Sequence, residues 1–197
     1  MAGGAILTSL HGKQIGLGFG GNLLSDRGDG TQIVGRSAYA SIAASSAITA
    51  SSTETLFDTN YSIPANSLVP GQRIKVKWQG ICTATNSTDT FTGRVRIGGV
   101  AGTALFTHTA QDVANNDVFL GEYELIIRTI GASGTVVGWG WGKNIAAAEG
   151  TITVRDDILA STTIDTTAAQ VVGVTGQWSS TNAGNSARLD FFTVDLL

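Results

Sequence analysis

The residues able to do chemistry are few and scattered. The chain of 197 residues holds two histidines and one cysteine. Nucleophilic catalysis needs a nucleophile, a base and an orienting group that converge, and no such set is suggested here. His11 lies in a glycine-laden start, His108 ends a short apolar run, and Cys82 takes an inward position in an alternating segment. An enzyme is not expected. Two isolated histidines and one cysteine also fall short of the four close ligands of a structural zinc site. Asp26 and Asp29, with the glycines around them, make a carboxylate-bearing loop without the full ligand set of a calcium loop, and it reads as a solvated turn. No metal and no cofactor is expected.

Other short matches carry little. Gly16 to Gly21 lacks the Lys and Ser/Thr of a phosphate-cradling loop. The triplet Arg27-Gly28-Asp29 is too short to weigh, and nothing points to secretion that would bring Asn60-Tyr61-Ser62 or Asn86-Ser87-Thr88 to a glycosylation system. Trp139, Trp141, Trp178 and Tyr123 are the rings that could stack on a sugar. At alternating strand positions such rings are expected in the core, with a sugar platform as the alternative.

Charge narrows the partners. The net charge is −3, the pI is near 5.2, and no basic arm or stripe is present, so nucleic-acid packaging is disfavoured. Only 14% of residues are charged, too few for a freely exposed surface, which suggests coverage by other proteins or by copies of the chain. No apolar run approaches the ~18 residues of a membrane span, and Met1 to Gln14 does not read as a secretory signal. A soluble protein made in a cytoplasm is expected.

Residues 1–52 lack the alternation of strands. Glycines at 12, 16, 18, 20 and 21 separate Ile6, Leu7, Leu10, Ile15, Leu17, Phe19, Leu23 and Leu24. Such a segment gives up too much backbone entropy to be stable alone, so these apolar residues are the candidate contacts to a partner, or else one strand of the chain's own sheet. The Ala/Ser-rich stretch Ser37 to Ser52 reads as a linker, with a weak helix as the alternative.

Residues 53–197 read as a sandwich domain, with period-two runs separated by Gly, Asn, Asp and Pro clusters. Strands are expected at Glu54–Ile63, Arg73–Thr83, Phe91–Ile97, Thr103–Thr107, Val118–Ile130, around Val137–Trp141, Gln170–Trp178 and Arg188–Leu196, with a short ninth at Thr151–Val154. In the second, Ile74, Val76, Trp78 and Cys82 share the buried face. Gly138, Gly140 and Gly142 leave one face bare, open to close approach by a ring or backbone. About eight antiparallel strands imply an all-β, jelly-roll-like sandwich with an extended Gly-rich N-terminal arm.

The pieces Glu54-Thr55-Leu56, Tyr61-Ser62-Ile63-Pro64-Ala65-Asn66-Ser67-Leu68 with Gly71, Gln177-Trp178-Ser179-Ser180 and the closing strand Phe191 to Val194 resemble jelly-roll virion proteins of tailed double-stranded DNA bacteriophages. The resemblance covers about three quarters of the chain and not the arm. It implies a virion component assembled in the host cytoplasm: a head decoration or cement protein, as a homotrimer, bridging neighbouring subunits of the major capsid protein through arm and sandwich. The alternative it implies is a tail-fibre, spike or lectin-like receptor-binding module.

Overall fold

In the computed structural model, residues 15–16, 23–26, 32–33, 37–86, 88–146 and 151–197 are described, and every regular element among them is a strand. In chain order these are β1 (Ile15–Gly16), β2 (Leu23–Asp26), β3 (Gln32–Ile33), β4 (Ser37–Ala40), β5 (Ile48–Thr49), β6 (Thr55–Ile63), β7 (Arg73–Thr83), β8 (Thr90–Ile97), β9 (Thr103–Thr107), β10 (Gln111–Asp112), β11 (Asp117–Thr129), β12 (Gly134–Ala146), β13 (Thr151–Ile164), β14 (Gln170–Trp178) and β15 (Ser186–Leu196). β1 to β3 form a three-stranded sheet of their own.

The remaining strands make two antiparallel sheets. One runs β13-β12-β11-β7-β15-β4, with β5 beside the start of β15; the other runs β10-β8-β14-β6, with β9 sharing the β10 edge of β8. Number β4, β6, β7, β8, β9/β10, β11, β14 and β15 as eight successive strands. The sheets then read 1-8-3-6 and 2-7-4-5, which is the double Greek key of a jelly roll. β12 and β13 are a hairpin added outside the eight.

Two stretches differ from expectation. Ser37 to Ser52, expected to be a linker, supplies the first jelly-roll strand, β4, and β5. Small residues hide the strand in the sequence, and three features hold it. Tyr39 packs on Tyr61 and Phe192 with ring centroids 6.2 and 5.9 Å apart. The Ser41 and Ser45 hydroxyls accept the β15 amides of Phe192 (3.0 Å) and Leu189 (2.9 Å) where the regular ladder breaks off. The Ser41 and Ser45 amides donate back to the carbonyls of the same two residues. The second difference is β13, which runs fourteen residues and not four.

Rings fill the space between the sheets. Phe91 lies 5.0 Å from Phe119 and 5.1 Å from Trp178, and Trp78 lies 5.6 Å from Phe106, centroid to centroid. These rings are too wide to stand on a floor of side chains, so glycines lie beneath them: a Cβ on Gly142 would come within 2.6 Å of Phe106, and one on Gly138 within 2.8 Å of Tyr123. The bare face expected of β12 is therefore its inner face.

Candidate interaction face

The glycine floor decides which way β12 points. Gly138, Gly140 and Gly142 face in, so Val137, Trp139, Trp141 and Lys143 must face out. Trp139 is 60% exposed. Trp141 is half-buried, with Lys143 Nζ 5.3 Å from its ring centroid, a cation over the electron-rich face. The expectation that both tryptophans sit in the core is thus corrected, while Trp178 and Tyr123 are buried as expected. Trp178 donates its indole N–H to the Ile48 carbonyl at 3.2 Å.

The register sets β13 residues beside them. Trp139 stands opposite Ile158, Trp141 opposite Asp156, Lys143 opposite Val154 and Ile145 opposite Ile152. Ile158, Ile152 and Val154 are 82%, 57% and 55% exposed. On the other flank Trp139 faces Glu124 and Trp141 faces Glu122. There the outer face is a charge ladder: Lys75 and Lys77 reach Glu122 at 2.6 and 3.5 Å, and Arg73 reaches Glu124 at 3.1 Å. One sheet face therefore grades from paired charges at β7 and β11 to an apolar strip at the β13 edge. Natural sheet edges are normally blunted by charged side chains, Pro, bulges or short length; β13 is long and free of Pro, and carries the charges Arg155, Asp156 and Asp157 and a register shift beyond Leu159.

The opposite sheet presents a closed polar cluster. Arg96 grips both carboxylate oxygens of Glu54, Arg94 lies 3.4 Å from one of them, and the buried Thr175 hydroxyl donates to Glu54. Burial by itself would raise the Glu54 pKa; the hydrogen bonds from Arg96 and Thr175 and the two guanidinium charges outweigh it and hold the carboxyl low. Each group here already has a partner, so the cluster ties the segment before β6 to β8 and β14.

The two described residues with catalytic potential are structural. His108 is buried, its Nε2 accepting from Trp78 at 2.9 Å. Burial, with the charge of Asp117, pushes the Cys82 thiol far above its ordinary pKa, away from the reactive thiolate. Surface depressions of about 180 Å³ at Gln111 and Asn144 and about 320 Å³ at Ile48 and Phe57 lie respectively below and at the bottom of the ~300–1,000 Å³ range of small-molecule sites.

Of the candidate arm contacts, Ile15 lies in β1 opposite Leu24, and Leu23 in β2 opposite Gly16. Ile6, Leu7, Leu10, Leu17 and Phe19 lie outside the described residues, as do His11 and Asp29, while Asp26 pairs with Gln32. Sequence reasoning missed Ile152, Val154 and Ile158 as a set. Their period-two spacing was a usable signal, broken by the charged run Arg155-Asp156-Asp157, which resembles a turn.

No protein-family model matches the chain, and no curated protein matches it. Solved structures share part of its outline. The CBM2 module of Lactobacillus casei BL23 phage J-1 evolved Dit is 11% identical with a TM-score of 0.32, over 69% of this chain and 67% of that one. The legume lectin-like domain from Entamoeba histolytica is 8% identical with a TM-score of 0.24, over 72% and 77%. Infectious bursal disease virus, Gx strain, is 8% identical with a TM-score of 0.23, over 86% and 45%. At these scores the likeness assigns no function.

Proposed function

We propose that the chain is a non-catalytic structural protein that works by binding other protein chains, and within that class a virion component that decorates a capsid and bridges neighbouring major capsid subunits. The observation that carries this reading is the apolar strip Trp139, Ile152, Val154 and Ile158 on the outer sheet face, laid along an edge that no strand among the described residues covers, in a chain poor in charge. Such a strip favours contact with another protein surface. The arm residues, Ile6 to Leu24, extend that contact onto the neighbouring subunit, and repetition over a lattice turns weak single contacts into firm attachment. Co-sedimentation with purified expanded capsids tests it: the chain is expected to pellet with them and raise their resistance to heat. Failure to bind under low salt overturns the reading.

Trp139 and Trp141 favour a second reading. Two outward indoles two residues apart on one strand lie ~7 Å from each other, a spacing that suits adjacent sugar rings. A receptor-binding module of this kind binds glycans or host cells with no capsid present, and a glycan array separates it from the first.

A further inference from the structure

We propose that β13 is a self-pairing edge, through which two copies of the chain join antiparallel about a dyad at Asp156 into one continuous sheet. The backbone is ready for it. β13 is the outermost strand of its sheet and, among the described residues, bonds only to β12. Its ladder with β12 keeps one register from Thr151 to Leu159 and shifts beyond it, so these nine residues are the template for strand addition.

The side chains select the occupant. A dyad perpendicular to the sheet keeps each face on its own side, so opposite residues must share an orientation and the axis must pass through a residue. With the axis at Arg155, arginine meets arginine and Asp156 meets Val154. With the axis at Asp157, aspartate meets aspartate and Asp156 meets Ile158. With the axis at Asp156, the sequence Val154 to Ile158 reads as its own complement about that residue. Arg155 stands opposite Asp157 of the second copy and Val154 opposite Ile158, each twice; Thr153 stands opposite Leu159, the last residue before β13 shifts register.

Arg155 and Asp157 already pair within one chain at 3.2 Å, so the dyad builds a ring of four alternating charges. Cross-strand pairs of opposite charge and of apolar residues are the favourable ones in a sheet. The one unfavourable pair is Asp156 with its own copy. Lys143, the register partner of Val154, stands diagonal to Asp156 on the same face and offsets it from both chains. The neighbouring Trp139 and Ile158 then continue the strip across the dyad, so dimerisation doubles the apolar face.

The inference does not rest on capsid binding: a dimer that ignores capsids leaves it standing, and a monomer that binds them sinks it alone. The test uses the full chain in sedimentation equilibrium. Wild type is expected to be a dimer, Arg155→Asp and Asp157→Arg each a monomer, and an equimolar mixture of the two variants a heterodimer, because each then offers the charge the other lacks. The bridge within one chain stays broken in that mixture, so only pairing between chains explains the rescue. Independently, Asp156→Cys is expected to cross-link under mild oxidation, since opposite Cα atoms lie ~4.5–5.5 Å apart, within disulfide reach, and Thr153→Cys is expected not to. Where a charge reversal unfolds the chain, the thiol pair decides. A wild type that stays monomeric, an oligomer indifferent to both reversals, or equal cross-linking from the two thiol positions overturns the proposal.

Discussion

Trp78 donates its indole N–H to Nε2 of His108 at 2.9 Å, joining β7 to the residue that follows β9 in the other sheet. The bond fixes the histidine proton on Nδ1, and the imidazole is wedged edge-on against Trp78, Phe106 and Phe119. Trp78→Ala opens a cavity and leaves His108 without its donor. The expected cost is ~3–5 kcal/mol in urea unfolding, and a change under ~1 kcal/mol contradicts the placement.

His108 makes stability pH-dependent. Burial first, and then the charge of Arg155, lower its pKa from 6.5 to about 4, against a hydrogen bond donated to Asn144 that raises it. The unfolded chain therefore binds a proton between pH 6.5 and about 4 that the folded chain refuses. Stability from this group is full above pH 6.5 and falls as acid is added toward pH 4, by up to ~3 kcal/mol. Denaturation midpoints measured across that window are expected to fall more steeply for wild type than for His108→Gln.

Gly140 lies against the ring and backbone of Tyr123, with no room for a Cβ. Gly140→Ala is expected to destabilise by ~1–3 kcal/mol, although alanine normally favours a strand more than glycine does. Calorimetry reads the sign directly.

Trp139→Ala removes an exposed ring and is expected to leave stability within ~0.5 kcal/mol of wild type. Its binding to capsids, or to glycans if the second reading holds, is expected to weaken about tenfold or more, as for an aromatic anchor. A variant that binds like wild type removes this face from either function.

Deleting Met1 to Gly35 leaves β4 and every later strand in place. The remaining chain is expected to fold with an unchanged circular dichroism spectrum and to lose capsid attachment. Loss of folding shows that the arm belongs to the core.

The sequence by itself determined the strands whose two faces differ in chemistry. Arg73–Thr83 is read to the residue because apolar and polar side chains alternate along it, while Thr103–Thr107 and Gln170–Trp178, whose burial does not alternate, are delimited by the polar and glycine-bearing stretches around them. It also determined that residues 138, 140 and 142 leave a bare face. Period two says which residues share a face, but not which face is inward. Only the rings arriving from elsewhere, Tyr123 from β11 and Phe106 from β9, decided that the glycines lie inside and Trp139 outside. β4 stayed hidden because alanine and serine carry no pattern, and its strand exists through hydrogen bonds supplied by β15, some 150 residues away. β13 beyond Val154 stayed hidden because Arg155-Asp156-Asp157 imitates a turn, while the ladder from β12 holds it straight through all three. Strand order, and with it the β13 edge left uncovered among the described residues, belongs to the tertiary structure alone, since pairing depends on which edges meet in space and no local pattern records it.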